Sequence, residues 1–537
     1  MATGKKTSRR RFVAGVGGMA TAGLLTANQP ARAAYGLQDS TPQRGGQLTI
    51  LVTNDFVSMD PIHASGPTAR ATYDWLLAWR PNAQGEFGVQ PMLATEWETS
   101  GNTLVFKLRE GIKFHDGSDL NADVVVWNLQ RMVQNPESFA KNYLPAIDEG
   151  NPAEALDPLT VQVNLTRPSA AILSSLSDAV EQTPIVSKQA ADDNGEEWLK
   201  NNPVGTGPFK FVEWASGNKL EVMRNESYWQ IGEDGEPLPY VDGITYRNII
   251  EVSTQFAEMR AGTADLMTNV RGRDVPTAKE IPHAVYVEAP YLGLKRQYFF
   301  NSLKGPFQDN LSLRQAFHHA IDREAIARAL GSDLGQPLPY EFVPGTLGYD
   351  DSVPFYEFDL EKAKALIEEA GVETPIDVQL TVHSREVDQQ QAQIIQAMVA
   401  EVGFNVSLDV VERVAWGEKV RIQNDFEMAT RQSGVAVDPT NDLLVTWAPG
   451  GNSAYHRATV PNLLETIRAA DSTYEPEERH RLFVEAQKLM HESAWFGYMW
   501  FETGNFLRHQ RIQNFPIIDD LLAIWGSLRE EEWWLEE

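Results

Sequence analysis

The sequence contains no cysteine. That excludes disulfide scaffolds, thiolate zinc sites and cysteine nucleophiles together, and with them the lipid-modified cysteine that anchors many exported proteins. Basic residues are also in short supply, with 46 Lys+Arg against 74 Asp+Glu and a net charge of -28. Nucleic acid and anionic membrane surfaces reward concentrated positive charge, so neither is expected as a partner. An acidic, solvated surface that keeps the chain in solution accounts for the imbalance without requiring a cationic ligand. Beyond the N-terminus no window offers the run of about 20 apolar residues that a membrane helix needs, so the mature chain is not expected to be membrane-embedded. Ten histidines are scattered without ligand spacing, and neither a metal site nor a cofactor is expected. The pair His318-His319, inside a helical pattern, reads as core or partly exposed. Neither a G-x-S-x-G nucleophile elbow nor an H-E-x-x-H helix occurs, and no catalytic residue is nominated.

What is present begins at the N-terminus. Lys5, Lys6 and Ser8-Arg9-Arg10-Arg11-Phe12-Val13 precede a Gly- and Ala-rich apolar stretch from Ala14 to Ala27, the layout of a secretory signal. Adjacent arginines before a weak apolar core match the twin-arginine type, which exports folded cargo. The small-x-small triplet Ala31-Arg32-Ala33 places cleavage after Ala33. Residues 1–33 are thus expected to be signal peptide and residues 34–45 a linker.

Downstream, Gln47 to Val52 reads as a strand, and Leu104 to Arg109 alternates as a half-buried strand does. Asn121 is the expected N-cap of a helix through Met132. Strand signals recur at Thr160 to Leu165, Lys219 to Arg224 and Gly243 to Ile249, with helical patterns at Ser253 to Ala261 and Ser312 to Leu330. A helix from Asp359 stopped by Gly371, a strand at Asp377 to Val382, a helix from Val387 stopped by Gly403 and a strand at Asn405 to Val411 mark a second α/β lobe. The helix Glu477 to Glu492 precedes an aromatic run, Trp495-Phe496-Gly497-Tyr498-Met499-Trp500-Phe501. The fold class is therefore α/β.

Several ordered blocks carry a resemblance. They include Gly45-Gly46-Gln47-Leu48-Thr49, Met59-Asp60-Pro61, Pro91-Met92-Leu93-Ala94 before Trp97, and Phe106 through Gly117 continued by Asn121-Ala122-Asp123-Val124-Val125. Pro203-Val204-Gly205-Thr206-Gly207-Pro208-Phe209, Asn225-Glu226-Ser227-Tyr228-Trp229 and Leu313-Arg314-Gln315-Ala316-Phe317 follow. The chain resembles the extracellular solute-binding proteins of family 5, the peptide, opine and nickel type that serve ABC transporters. The resemblance implies a periplasmic, monomeric, periplasmic-binding-protein-like molecule, with a two-lobed cleft and an additional domain, that closes on a small-molecule ligand and delivers it to permease subunits. It implies a discontinuous domain I of about 46–72, 205–285 and 505–537, a domain II of 73–204 and a domain III of 286–504, with hinge crossings near Val204 and Tyr286.

Turn chemistry assigns Gly205-Thr206-Gly207-Pro208 and His115-Asp116-Gly117 to the fold, their glycines permitting positive φ. The ligand remains open between a peptide, an oligosaccharide and an opine-like compound, with a metal chelate as a further reading and an exported hydrolase as the alternative from another class. Relatives that bind peptides hold the ligand amine with an Asp that would fall near Val435 or Ala436. Asp438-Pro439 lies beyond that place and suits a turn, although a shifted register could bring Asp438 to an amine. Arg385, in the loop His383-Ser384-Arg385-Glu386, is the candidate for gripping a carboxylate bidentately, and Arg413 and Arg431 follow it. Trp416, Trp447, Tyr455, Tyr498 and Trp500, with Tyr73 and Trp75, are the candidate aromatic lining.

Overall fold

The computed structural model describes residues 41–536, apart from 54–55, 64–67, 83–86, 269, 332–334, 345, 452 and 516–527. The expected signal peptide and its cleavage site lie outside the described residues. Part of the expected linker is docked: Arg44 donates from Nε to Asp234 at 2.5 Å and from Nη1 to the Pro237 carbonyl at 2.8 Å.

Fourteen strands carry the architecture. They are β1 (Gln47–Val52), β2 (Ala94–Ser100), β3 (Thr103–Leu108), β4 (Ala153–Asp157), β5 (Thr160–Asn164), β6 (Phe209–Ala215), β7 (Lys219–Arg224), β8 (Gly243–Asn248), β9 (Leu266–Thr268), β10 (Ala284–Phe300), β11 (Ile376–His383), β12 (Phe404–Val411), β13 (Met428–Ser433) and β14 (Phe496–His509). One large sheet runs in the order β12-β11-β13-β10-β14-β9-β1-β8-β7-β6. In its first-lobe half, β1 lies parallel to both β8 and β9. In its other half, β11 lies parallel to both β12 and β13. β10 and β14 run antiparallel through both halves, and their register jumps between Ala289/Gly504 and Leu294/Glu502. An irregularity of this kind interrupts the ladder locally and bends and twists the strands there.

A separate lobe carries the four-stranded sheet β2-β3-β5-β4, whose alternating apolar residues bury Leu104, Phe106, Val161 and Val163 under helix α1 (Ala122–Gln134). Asn121 caps α1 by accepting from the Val124 amide at 3.0 Å, as its sequence position predicts. The short helix α2 (Ala171–Ser175) borders the same core. The chain crosses between this lobe and the large sheet at Thr72-Tyr73 and again at Gly205 to Gly207, where the two passes touch. The Gly207 amide donates to the Thr72 carbonyl at 3.1 Å. Gly205 and Gly207 are absent from the left-handed region, and the reason for glycine is contact, which corrects the turn-based expectation. A Cβ on Gly205 would sit 2.1 Å from the Thr72 carbonyl oxygen. Gly117, by contrast, does occupy φ +87°.

Beside this crossing, fully buried Asp74 accepts from Thr206 Oγ1 at 2.8 Å, Trp229 Nε1 at 2.9 Å and Tyr228 Oη at 3.0 Å. Burial pushes its carboxyl up to about 6, the three donors pulling the other way. A carboxyl raised in the folded state holds its proton there after the unfolded chain has lost it. Its contribution to stability is therefore full below the unfolded value near 3.8 and lost as pH rises through about 6. Asp74→Asn is expected to remove this downward slope, which for one proton is at most about 1.4 kcal/mol per pH unit. Melting both proteins from pH 4 to pH 7 tests it: a gap that stays constant with pH refutes the assignment.

The remaining lobe is built on β11, β12 and β13 with helices α3 (Leu311–His319), α4 (Arg323–Gly331), α5 (Leu360–Ala370), α6 (Glu386–Ala400), α7 (Pro439–Trp447), α8 (Leu463–Ser472) and α9 (Pro476–Ser493). Gly371 stops α5 at φ +68°, and Gly403, at φ +104°, leads into β12. The single helix expected over Ser312 to Leu330 is two. Asp322 restarts the backbone by accepting from the Ala325 amide at 2.9 Å, and buried Arg323 ties the break to the Tyr498 carbonyl at 2.6 Å and the Tyr356 carbonyl at 2.7 Å. His318 is fully buried between Tyr298 Oη, at 2.6 Å from Nδ1, and the Ala494 carbonyl, at 2.9 Å from Nε2, a core histidine. The aromatic run begins β14, which extends well past it to His509.

Candidate ligand-binding site

A cavity of about 940 Å³ lies where the three parts of the molecule meet. Its position follows from the strand directions. Thr53 follows β1, Val252 follows β8, and Val270 and Arg271 follow β9, so the first lobe contributes the carboxyl ends of three parallel strands. From the other half come Arg385, after β11, and Gln432 with Gly434 to Asp438, at and beyond the end of β13. Parallel strands leave a crevice at their carboxyl ends where the strand order reverses, and loops there can present side chains without breaking the sheet. Glu502, Thr503 and Gly504 of the β10/β14 bulge form the back wall, while Asn142, Tyr143, Ser174, Ser175 and Ala179 to Gln182 face them from the β2–β5 lobe.

The wall is rich in fixed charge. Arg70 pairs through Nη1 with Glu181 at 2.8 Å. Arg296 donates from Nη1 to Asp388 and to Gln432, each at 2.9 Å, and from Nε to Glu502 at 3.2 Å. Arg385 holds the other oxygen of Asp388 through Nε at 2.6 Å, and its side chain remains 44% exposed. Arg271 is held in the same way, Nε to Asp274 at 2.6 Å. Below Gly434 to Asp438, Lys295, Glu341, Asp442 and Arg431 form a buried cluster. Lys295 bonds Glu341 and lies 3.4 Å from Asp442, and Arg431 lies 3.6 Å from Asp442. Burial raises the Glu341 carboxyl despite the lysine. At Asp442 burial pushes the same way, and Lys295 and Arg431 outweigh it.

The cleft is closed over this wall. Asp471, at the end of α8, is fully buried and accepts from Ser169 Oγ at 2.8 Å and from the Ala171 amide at 3.2 Å, while its second oxygen takes Arg167. The Ala170 amide donates to its carbonyl at 2.7 Å. Asn441 on α7 reaches across at a second point, donating to Ser175 Oγ at 2.6 Å and to the Tyr143 carbonyl at 3.0 Å.

Of the residues nominated from sequence, Arg385 and Asp438 line the cavity. Both carboxylate oxygens of Asp438 are engaged, one capping α7 through the Thr440 amide at 3.0 Å and one taking Arg479 at 2.9 Å, so its chemistry is that of a helix start. Among the described residues the nominated aromatics do not line the cavity, and Tyr143 is the one aromatic that does. Trp416 is buried against His383, ring centroids 4.6 Å apart, and Tyr455 meets Trp416 edge-on at 5.6 Å. Trp447 packs on His456 and Phe496. Tyr73 is buried with its hydroxyl on the Met59 carbonyl at 3.0 Å, and Trp500 is buried with Nε1 on Gln391 at 3.0 Å. Trp75 and Tyr498 are buried too. Arg431 reaches Asp442 from beneath, and Arg413 opens a short helix away from the lining. Sequence reasoning missed Arg70, Arg271, Arg296, Asn441 and Glu502. Arg271 follows a parallel strand as Arg385 does, but that strand, Leu266–Thr268, is only three residues long and gave no sequence signal. No group of three or more His, Asp or Glu able to hold a metal ion occurs among the described residues, and no described helix is long and apolar enough to cross a membrane.

Comparisons with known proteins fit this geometry. Residues 88–455 match the model of bacterial extracellular solute-binding proteins, family 5 middle. The dipeptide-binding protein of Escherichia coli is 30% identical over 76% of this chain and 80% of its own length. Heme-binding protein A of Haemophilus influenzae is 30% identical over 76% and 78%. Among solved structures, the ABC transporter-associated periplasmic binding protein DppA of Helicobacter pylori, in complex with the peptide STSA, aligns with a TM-score of 0.79 at 25% identity, covering 92% of this chain and 99% of that one. With its parallel-strand cleft, its closing lobes and these matches along most of its length, the chain belongs to the bacterial extracellular solute-binding proteins of family 5, the binding components of ABC importers.

Proposed function

We propose that this protein is exported through its twin-arginine signal, is cleaved after Ala33, and works in the periplasm as a monomeric receptor for a small polar solute bearing a carboxylate, which it delivers to an ABC permease. The observation that carries the ligand chemistry is Arg385. Its Nε is fixed by Asp388 at 2.6 Å, so the guanidinium is oriented before a ligand arrives and its terminal nitrogens can meet a carboxylate as a fork. Among the described lining residues Tyr143 alone is aromatic, which offers a sugar little stacking surface. A peptide amine would have to share an acid already engaged by a cation: Glu181 by Arg70, Asp438 by Arg479, Asp442 by Lys295 and Arg431, or Glu502 by Arg296. A carboxylate-bearing solute, peptide or otherwise, is therefore favoured over an oligosaccharide.

The domain assignment serves the same reading. Residues 46–72, 205–285 and 505–537 form domain I, 73–204 domain II and 286–504 domain III, with the bulge between Ala289 and Leu294 as one hinge. Closing the lobes desolvates the ligand on all sides, and the permease distinguishes loaded from empty receptor by shape. Releasing small molecules from the purified mature protein by denaturation, and identifying them by mass spectrometry, names the ligand. Arg385→Ala is then expected to weaken that ligand by about 1.5 kcal/mol or more, roughly tenfold or beyond, in calorimetric titration. An unchanged affinity removes Arg385 from the site. Turnover of the bound compound would replace the receptor with a hydrolase.

A further inference from the structure

Four guanidinium groups line the cavity, and they are not equivalent. Arg70 and Arg296 spend terminal nitrogens on the protein, Nη1 on Glu181 in one case and Nη1 on Asp388 and Gln432 in the other. Arg271 and Arg385 are each tethered at Nε alone among the described residues, each to the aspartate three positions on, each at 2.6 Å. The side chains stay 46% and 44% exposed. An Nε tether fixes the plane of a guanidinium and leaves the paired Nη edge, which matches a carboxylate in width and direction.

The loops bearing the two arginines come from different halves of the large sheet, after β9 and after β11, and they are joined. Arg273 forms a two-pronged bridge to Glu386, Nη1 at 2.7 Å and Nη2 at 3.1 Å. This bridge, its side chains 53% and 58% exposed, brings together residues two and one positions along from the two forks. The Arg273 guanidinium, foremost, keeps the Glu386 carboxyl below its usual range, and Arg271 adds to the effect.

We infer that Arg271 and Arg385 form a two-fork anion clamp across the seam between the first and third parts of the chain, selecting a ligand with two acidic groups. The inference rests on the carboxylate-solute reading above and adds Arg271 as a residue that determines specificity. One fork takes a carboxylate, the second takes another acid on the same solute, and the Arg273–Glu386 bridge sets their separation. A mono-acid engages one fork and leaves the other in solvent.

The test uses matched pairs that differ by one acid: Ala-Glu with Ala-Gln, Gly-Asp with Gly-Asn, and glutarate with its monoamide. Affinities are measured by titration on the mature protein, after any co-purified ligand has been removed by reversible unfolding. In at least one pair the di-acid is expected to bind tenfold or more tightly than its amide, and in Arg271→Gln that ratio is expected to fall to within twofold of one. Arg271→Lys, which keeps the charge and loses the fork, is expected to retain only part of the preference. Pairs that bind equally to the parent protein, or a preference that survives Arg271→Gln, overturn the clamp while leaving a carboxylate receptor standing. Failure of every compound to bind overturns the clamp and the carboxylate reading together.

Discussion

Gly207→Ala is expected to lower stability by about 3 kcal/mol or more, a fall in Tm of on the order of 5 °C. The added Cβ would lie 2.6 Å from the Thr72 carbonyl carbon, 2.7 Å from the Tyr73 amide nitrogen and 2.9 Å from the Thr72 oxygen. All three are backbone atoms of the other crossing strand, so no side chain can swing aside. Gly207 is also a node of hydrogen bonds. Its amide donates to Thr72, and its carbonyl accepts from Asn225 Nδ2 at 3.1 Å and from His115 Nε2 at 2.9 Å. Burial drives His115 down to about 4, so it is neutral at pH 7 and spends its one N–H there. Moving Gly207 to relieve the clash would disturb these bonds as well. Gly88→Ala is the control, since a Cβ there meets nothing within 4 Å. A Gly207→Ala protein that melts within a degree of the parent would show that the two passes can separate.

Asp471→Ala is expected to weaken ligand binding by about 2 kcal/mol, near 30-fold, chiefly through faster release. In the closed molecule this one side chain satisfies Arg167, Ser169 and the amide that begins α2. Removing a buried partner commonly costs 3–5 kcal/mol, and the partial exposure of Arg167, 26% of its side chain, reduces that here. All of these bonds join one lobe to another, so the loss falls on the closed state and leaves the open state's own packing intact. Apparent affinity then drops with the closed fraction. Stopped-flow release rates for parent and variant decide it: equal rates would mean that Asp471 plays no part in closure.

Much of the fold was legible because local chemistry and tertiary structure agree. β1 runs from Gln47 to Val52 as its β-branched run suggests, and Asn121, Gly371 and Gly403 cap or stop their helices where the sequence places them. The site was less legible, and α7 shows why. Asp438, Asn441, Asp442 and Val445 face the cavity, a spacing of three, four and seven that keeps them on one helical face. Trp447, nine positions on, falls about half a turn away and packs into the core. Proximity in sequence suggested Trp447, and helical phase assigns it elsewhere. β14 misled differently, because it is covered on both faces and buries Phe496, Tyr498 and Trp500 together. Arg271 follows a strand of only three residues, too short to announce a carboxyl end from pattern alone. Arg296 and Glu502 meet across the β10/β14 pair from positions 206 apart in sequence, a distance that no local pattern bridges.

The path of β10 and β14 has a consequence for the order of assembly. The chain enters the third part once, along β10, and leaves it once, along β14, so residues 294–502 can complete their contacts before the C-terminus exists. The first part cannot. β1 is bonded to β9, and β9 to β14, while Gly46 lies against Leu535. Its sheet closes only when segments from opposite ends of the chain meet, the kind of non-local pairing that forms late. β1 has both of its neighbours by residue 268, but the far edge of β9 stays unpaired until residues 506–508 of β14 arrive, so a chain truncated before them would carry a finished lobe beside an open sheet edge.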